Sequence, residues 1–390
     1  MPGYELIGKQ ENKELNNIFK NSNGVLFGHA FNDLRNNIFR VRDFEKKICK
    51  KLKVKYCVAT TSGTMAQYVA MKALGIKEND EVITQAFTFV ATVEAIMAIR
   101  AKPIIINVDK SFNMCPEELK KKISKKTKLI IPVPMLGNPC DINKIKKIAK
   151  SKNVPLLEDA CESLGSKYKN SFVGTQCDIS VFSLDFGKTI TTGEGGLIVT
   201  NKKKLYSFCK EFIDHGHQNN KRHPRGLDTK KIFGLNLRMT EMQAAVGIAQ
   251  LKKLDEIIKK NRFNKSYLKS KIKKNINFEY RTLNDPKELS DTLILILKNQ
   301  KIAKQFVKYL NKNSFSTKNL PDAVDWHFAG KWGHIFKHVS LYKKKYQKEW
   351  KKTSDLLSKS VSIPIFVKSK KKELVNLANN INNFFHQISN

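Results

Sequence analysis

From Tyr56 onward the chain switches repeatedly between two hydrophobic periods. CVATTSGT (57–64) reads as a short apolar strand running into small residues, and MAQYVAMKALG (65–75) has a helical period that stops at Gly75. EVITQ then reads as strand and TFVATVEAIMAIR as helix, followed by PIIINVD as strand and CPEELKKKIS as a helix opened by proline. KLIIPVP, a helix from about Asp141 to Lys152, VPLLEDA, ISVFSLDF and GGLIVTN continue the series. Such alternation predicts an α/β fold whose sheet is mainly parallel and covered on both faces. The loop between ISVFSLDF and GGLIVTN is too short for a crossover, so one local antiparallel pairing is expected there.

The flanking regions differ. Residues 15–50 mix an amphipathic helical pattern with a glycine-marked loop, NSNGVLFGHAF. After Asn236 a long helical stretch, TEMQAAVGIAQLKKLDEIIKKNRFNKSYLKSKI, leads into shorter strand patterns, DTLILIL and SVSIPI, set among charged helices. The expected organisation is a large α/β domain over residues 1–255 and a smaller α+β domain over 256–390. At 390 residues the chain is long enough for more than one domain, and no repeat of solenoid or propeller period is present.

Composition changes this picture little. No stretch approaches the roughly 18 uninterrupted apolar residues of a membrane span. MPGYELIGKQENKELNN lacks the apolar core of a signal peptide, so a cytoplasmic location without membrane insertion is expected. The formal charge of +37 raises nucleic acid as a partner. Its lysines, however, are spread through every segment and arginine, the residue suited to forked contacts with bases and phosphates, is scarce, so specific nucleic-acid binding is not expected. The cysteines form no CxxC pair and no Cys/His cluster at zinc spacing, and they read as reduced thiols with no metal site.

Ligands of open α/β sheets gather beyond the carboxyl ends of the strands, and four features fall there. TSGT (61–64) leads directly into a helix, whose first N–H groups and dipole suit a phosphate, although a plain strand-to-helix turn has the same look. FTF (87–89) offers a ring for stacking on a flat cofactor or for the core. Asp159, after the apolar VPLL, either caps a helix or meets a cation such as a protonated pyridine nitrogen. Lys188 lies between SLDF and ITTGEGG and is either a solvated loop lysine or a buried amine, which is expected to have a lowered pKa and to form a Schiff base. In this order the four are the components of a pyridoxal 5′-phosphate site.

TSGTMAQ, FTFVATVEAI, LLEDACESLGS, SLDFGKTITTGEGG, DHGH and GLNLRMTEMQAAVG resemble the DegT-type sugar aminotransferases over nearly the whole chain. The resemblance implies the fold type I of pyridoxal-phosphate enzymes, with a mainly parallel seven-stranded sheet. It implies that Lys188 bonds the cofactor aldehyde and shuttles the proton, that Asp159 keeps the pyridine nitrogen protonated, and that Phe89 stacks on the ring. Gly63, Thr64 and Ser183 are the implied phosphate cradle. Asn236 resembles the asparagine that reaches the phosphate of a neighbouring subunit, which implies a homodimer with shared active sites. Glu162 stands where the family often has glutamine or histidine near the ring hydroxyl. Glutamate is the implied amino donor and a carbonyl-bearing sugar the acceptor.

MPGYELIG, NGVLFGHAFNDLRN and DHGHQNN resemble the branch that makes 8-amino-3,8-dideoxy-octulosonate, an acidic sugar of lipopolysaccharide; other relatives use nucleotide-linked ketosugars. In that branch His217, Arg222 and Arg225 would meet a carboxylate or diphosphate, and the segment 322–334, with Trp326 and His327, would supply further substrate contacts. The bland reading of these segments is surface loop, and Trp326 and Trp332 equally suit the core of the small domain. Two other functions stay open. A branch of the family with histidine in place of the lysine performs dehydration, against which Lys188 speaks. A regulatory or nucleic-acid-binding protein could also use the fold.

Overall fold

The computed structural model describes residues 2–220, 222–338 and 349–388. Strands β1 (Tyr56–Thr60), β2 (Glu81–Gln85), β3 (Lys102–Ile106), β4 (Thr127–Ile130) and β5 (Leu157–Asp159) come first. A small hairpin of β6 (Lys167–Tyr168) and β7 (Ser171–Phe172) follows, and then β8 (Ile179–Ser183) and β9 (Gly196–Thr200). β3, β2 and β4 pair in parallel, as do β5 and β8, and a parallel bridge from Ile130 to Leu156 joins the two groups. The order is therefore β3-β2-β4-β5-β8-β9-β1, a mainly parallel sheet of seven strands. β9 runs antiparallel to β1 as well as to β8. The single antiparallel pairing expected from the short loop is thus two pairings, because β9 is inserted between β8 and the first strand.

Helices α1 (Pro2–Glu5), α2 (Lys9–Asn21), α3 (Arg40–Leu52), α4 (Gly63–Ala73), α5 (Ala91–Ala98), α6 (Pro116–Lys122), α7 (Ile142–Ser151), α8 (Lys203–Phe212) and α9 (Glu241–Lys271) flank that sheet. Their starts are set locally. Ser62 Oγ accepts from Met65 N at 3.1 Å, Asp141 accepts from Lys144 N at 3.3 Å, and Thr240 and Gln243 form a reciprocal capping box. Val82, Ile96, Leu129, Val181 and Ile198 form one side of the core. Phe44, Ile48, Phe182, Leu197, Leu254 and Ile257 form the other, between the sheet and helices α3 and α9. Every residue of β8 and β9 is buried, which is why both strands read as continuous apolar runs.

α9 passes position 255 without a break and carries Leu254 in one core and Leu268 in the next. That next core lies on an antiparallel sheet of β10 (Phe278–Tyr280), β11 (Thr292–Leu297) and β12 (Ser360–Pro364). Helix α10 (Gln300–Lys312) and the helix Lys371–Gln387 cover it through Phe306, Ile381 and Phe385. No helix among the described residues is long and apolar enough to cross a membrane.

Candidate active site

A cavity of about 370 Å³ opens at the carboxyl ends of the parallel strands. Each wall follows a strand: Ser62, Gly63 and Thr64 after β1, Phe89 after β2, Met135 and Leu136 beyond β4, Asp159 and Glu162 at β5, and Ser183 and Lys188 at β8. Because these strands run in the same direction, their carboxyl ends bring the turns to one rim although they are far apart in sequence.

Gly63 and Thr64 are the first two residues of α4, and their N–H groups have no hydrogen-bond partner among the described residues. A Cβ at Gly63 would lie 2.8 Å from Ser183 Cβ and 3.1 Å from Cys161 Sγ, so glycine is what lets the helix start approach β8 this closely. Open N–H groups at a helix start beside Ser183 suit a phosphate. Phe89 presents its ring to the cleft and is 41% exposed, an unusual state for a phenylalanine unless something flat covers it.

Asp159 is buried. Its Oδ2 accepts from Thr92 Oγ1 at 2.7 Å and its Oδ1 from Cys161 N at 3.3 Å. No cation among the described residues ion-pairs with it. Burial therefore pushes its pKa above the ordinary aspartate range, and the bonds from Cys161 and Thr92 only partly oppose this. A buried carboxylate that faces a cleft with no ion-pair partner, Lys188 acting on it only from further away, fits a ligand carrying a protonated ring nitrogen.

Lys188 Nζ lies 3.8 Å from Glu162 Oε1 and 6.0 Å from the centre of the Phe89 ring. The expected lowering of its pKa is corrected here. Burial does pull it down, but Glu162 above all, followed by Cys161, Asp185 and Asp159, outweighs burial and holds the amine above the ordinary lysine value. Burial likewise raises Glu162, yet Lys188 and then His327 hold that carboxyl below the usual range. Glu162 Oε2 also accepts from Leu136 N at 3.0 Å, and Oε1 lies 3.8 Å from His327 Nε2. His327 Nδ1 meets the Ala323 carbonyl at 2.7 Å, so it carries the ring proton, and Nε2 accepts from Asn319 Nδ2 at 2.9 Å. Burial lowers the His327 pKa, with Glu162 pulling the other way.

The remaining residues singled out in the sequence lie elsewhere. Trp326 is exposed, its carbonyl accepting from Val90 N at 2.9 Å, whereas Trp332 is core. His217 Nδ1 lies 3.4 Å from Asp228 Oδ2, and Arg222 is exposed. Arg225 grips Asp214 through two bonds of 2.8 and 2.6 Å, and Arg238 reaches the same carboxylate at 2.7 Å. These arginines, with His29, Arg42 and Lys210, line a separate cavity of about 810 Å³ that contains neither Lys188 nor Asp159. Asn236 is exposed and its backbone bridges to Asp214. Other cleft residues went unremarked in the sequence. Thr92 had a signal, since it sits in the apolar helical run four residues after Thr88, and the two hydroxyls are 2.8 Å apart. Lys318, Asn319 and Asp291 had none, because they reach the rim through bonds to distant residues in or next to the second sheet, Lys318 N to the Ser362 carbonyl at 2.9 Å and Ile365 N to the Asp291 carbonyl at 2.9 Å.

The model of the DegT/DnrJ/EryC1/StrS aminotransferase family matches residues 31–382. The chain belongs to this family. Among relatives of this family chain, the GDP-perosamine synthase of Escherichia coli O157:H7 is 34% identical over 88% of this chain and 90% of its own length. The aminotransferase PseC of Helicobacter pylori, involved in pseudaminic acid biosynthesis, superposes with a TM-score of 0.82 at 22% identity, over 98% of this chain and 97% of its own. The GDP-4-keto-6-deoxy-D-mannose-3-dehydratase of E. coli, solved with bound hydrated pyridoxal phosphate, gives 0.80 at 24% identity over 96% and 97%. The fold of the DegT/DnrJ/EryC1/StrS chain is thus fold type I, and the family's cofactor is pyridoxal 5′-phosphate.

Proposed function

We propose that the chain transfers an amino group from L-glutamate to the carbonyl carbon of a sugar, as a step in building cell-surface polysaccharide or lipopolysaccharide. One observation carries this reading: Lys188 Nζ, unpaired Asp159 and the open ring of Phe89 share a single cleft at the strand ends. Pyridoxal 5′-phosphate, when bound, supplies an electron sink for the carbon that loses its proton.

This chain's own residues do the rest. Gly63, Thr64 and Ser183 would hold the phosphate, Asp159 would offer its buried carboxylate to the ring nitrogen, and Phe89 would stack on the ring. Lys188 is the residue that would hold the aldehyde carbon, and its freed Nζ would be the base that moves the proton at the donor's Cα. Glu162, at 3.8 Å, stabilises the protonated amine between those events. Donor and acceptor use the same cleft in turn, so one set of groups serves both halves of the reaction.

The acceptor is a nucleotide-linked ketosugar or 8-oxo-3,8-dideoxy-octulosonate. The relation to GDP-perosamine synthase supports the first, and MPGYELIG with DHGHQNN supports the second. The working form is a homodimer in which Asn236 and the arginines beside Asp214 face the partner's cleft. Supporting this, Phe31, Leu34, Leu227, Phe233 and Leu235, in the segments that border that arginine cavity, are all exposed.

The experiment is a two-stage reaction. L-Glutamate is added to the yellow protein and the absorbance should shift to that of the amine form of the cofactor, with 2-oxoglutarate released. That form is then offered each acceptor class, and mass spectrometry should find an amino sugar. No shift with any amino acid would sink the transaminase reading, and a deoxygenated sugar without nitrogen would replace it with dehydration.

A further inference from the structure

The segment ahead of α2 lines no part of the cleft, yet it is bonded to the turn that carries Lys188. Gly3 N donates to the Lys188 carbonyl at 3.1 Å, while Lys188 N donates to the Asp185 carbonyl at the same distance. Both main-chain polar groups of the lysine are therefore tied, one of them from outside its own loop. That approach depends on glycine, since a Cβ at position 3 would lie 2.9 Å from both Lys188 O and Thr191 N. The next residue adds a second contact: the Tyr4 ring stacks on Phe186, with centroids 4.9 Å apart and planes 24° from parallel.

Two further routes leave this segment and the first turn of α2. Glu11 Oε1 accepts from Gln250 Nε2 at 2.9 Å, and Gln250 Oε1 accepts from Thr191 N at 3.4 Å, so the far end of the lysine turn is reached through α9. Lys253 pairs with Glu11 at 2.6 Å and donates to the Leu6 carbonyl at 2.5 Å. On the other side, the Glu5 carboxylate accepts from Val367 N at 3.3 Å and Lys368 N at 3.1 Å. Ile365 N, in the same stretch, donates to the Asp291 carbonyl at 2.9 Å, and the Asp291 side chain holds Lys318 at 2.6 Å, both of them residues that line the cleft. The turn itself has Gly187, Gly193 and Gly195, and a glycine-rich loop holds a fixed shape only when outside contacts offset its entropy.

We propose that residues 3–11 act as a positioning strap that ties the Lys188 turn to the part of the cleft lined by Asp291 and Lys318, with Gly3 and Tyr4 setting where the reacting amine stands. Neither residue lines the cleft; Gly3 acts through the backbone of Lys188 and Tyr4 through Phe186 of the same turn. The inference rests on the reading of Lys188 as the reacting amine. It matters because a displacement of about 1 Å at a reacting group costs about a hundredfold in rate.

The test uses the cofactor-loaded, full-length protein and its Tyr4→Ala, Tyr4→Phe and Gly3→Val variants. Hydrogen exchange is followed by mass spectrometry in the peptide spanning Lys188–Thr192. Tyr4→Ala should speed exchange there about fivefold to tenfold, the worth of a stacked pair, and Tyr4→Phe should restore it. Gly3→Val should speed it about tenfold to a hundredfold, as overpacking against backbone does. The pH at which the bound chromophore changes absorbance should move in the same two variants, with kcat falling while KM for the donor holds. Native exchange and a native absorbance transition in Tyr4→Ala would overturn the proposal, as would a uniform rise over the whole chain, which marks only lost stability. If Gly3→Val does not fold, the two Tyr4 variants decide. Lys188→Ala, read in parallel, separates the two claims: if it keeps the native absorbance, the reading of Lys188 itself fails.

Discussion

Glu162→Gln isolates the effect that sets Lys188 apart from the other lysines. The amide keeps an acceptor for Leu136 N and nearly the same shape, so the change removes a charge and little else. A unit charge pair at 3.8 Å is worth about 4 kcal/mol at an effective dielectric of about 20. The side chains are 19% and 14% exposed, and solvent screening reduces this to roughly 2 kcal/mol. With tenfold for each 1.4 kcal/mol, the free-amine fraction of Lys188 should rise about thirtyfold. The assay is the rate at which an amine-selective acylating reagent modifies Lys188 in cofactor-free protein, quantified by mass spectrometry between pH 7 and 11. The variant should react faster at neutral pH, and the ratio should shrink as pH rises past the lysine's own pKa, where both proteins carry the free amine. Equal rates at pH 7 to 9 would refute the claim that Glu162 outweighs burial at this site.

Three further outcomes are expected. Asp159→Asn should retain the bound chromophore but slow the first half-reaction by at least about a hundredfold, measured by stopped-flow absorbance; a native rate would remove Asp159 from the ring nitrogen. Gly63→Ala places a Cβ 2.8 Å from Ser183 Cβ and should cost about 1–3 kcal/mol in urea unfolding while loosening cofactor retention, and a stable, tightly loaded variant would count against the cradle. Glu158 is buried, accepts from Gly174 N at 2.7 Å, and burial pushes its pKa up to about 7. Between the unfolded value of about 4.3 and that level the native state keeps a proton the unfolded chain has released. Its contribution is therefore present below the lower value and lost as pH rises through 7, by about 3 kcal/mol. Glu158→Gln should escape that loss, so its urea midpoint relative to the native protein should be higher at pH 8 than at pH 5; a pH-independent difference would show that Glu158 does not titrate in this range.

Much of the architecture is written locally. Alternating periods of two and 3.6 residues name the strands and helices of the large sheet, because a side chain's burial depends on which face of its own element it occupies. Proline at the start of α6, Asp141 before α7 and the Thr240–Gln243 box before α9 mark helix starts through bonds that span only a few residues. Lys188, Asp159, Phe89 and Gly63 were legible for the same reason. Each sits where an apolar run ends, and the ends of parallel strands share one rim.

Pairing across the sheet was not written locally. β9 enters between β8 and β1, and the Lys318–Leu320 turn bonds to Ser362 of β12, through contacts between residues over a hundred positions apart or dozens apart. That pairing brings Lys318, Asn319 and Asp291 to the cleft and leaves Arg225 bound to Asp214 in another cavity. The sign of the Lys188 shift belongs to the same category. Sequence alone established that an amine stands between an apolar strand and a glycine-rich turn; only tertiary structure decided that a carboxylate stands 3.8 Å from it, since charge interaction depends on distance through space and not along the chain.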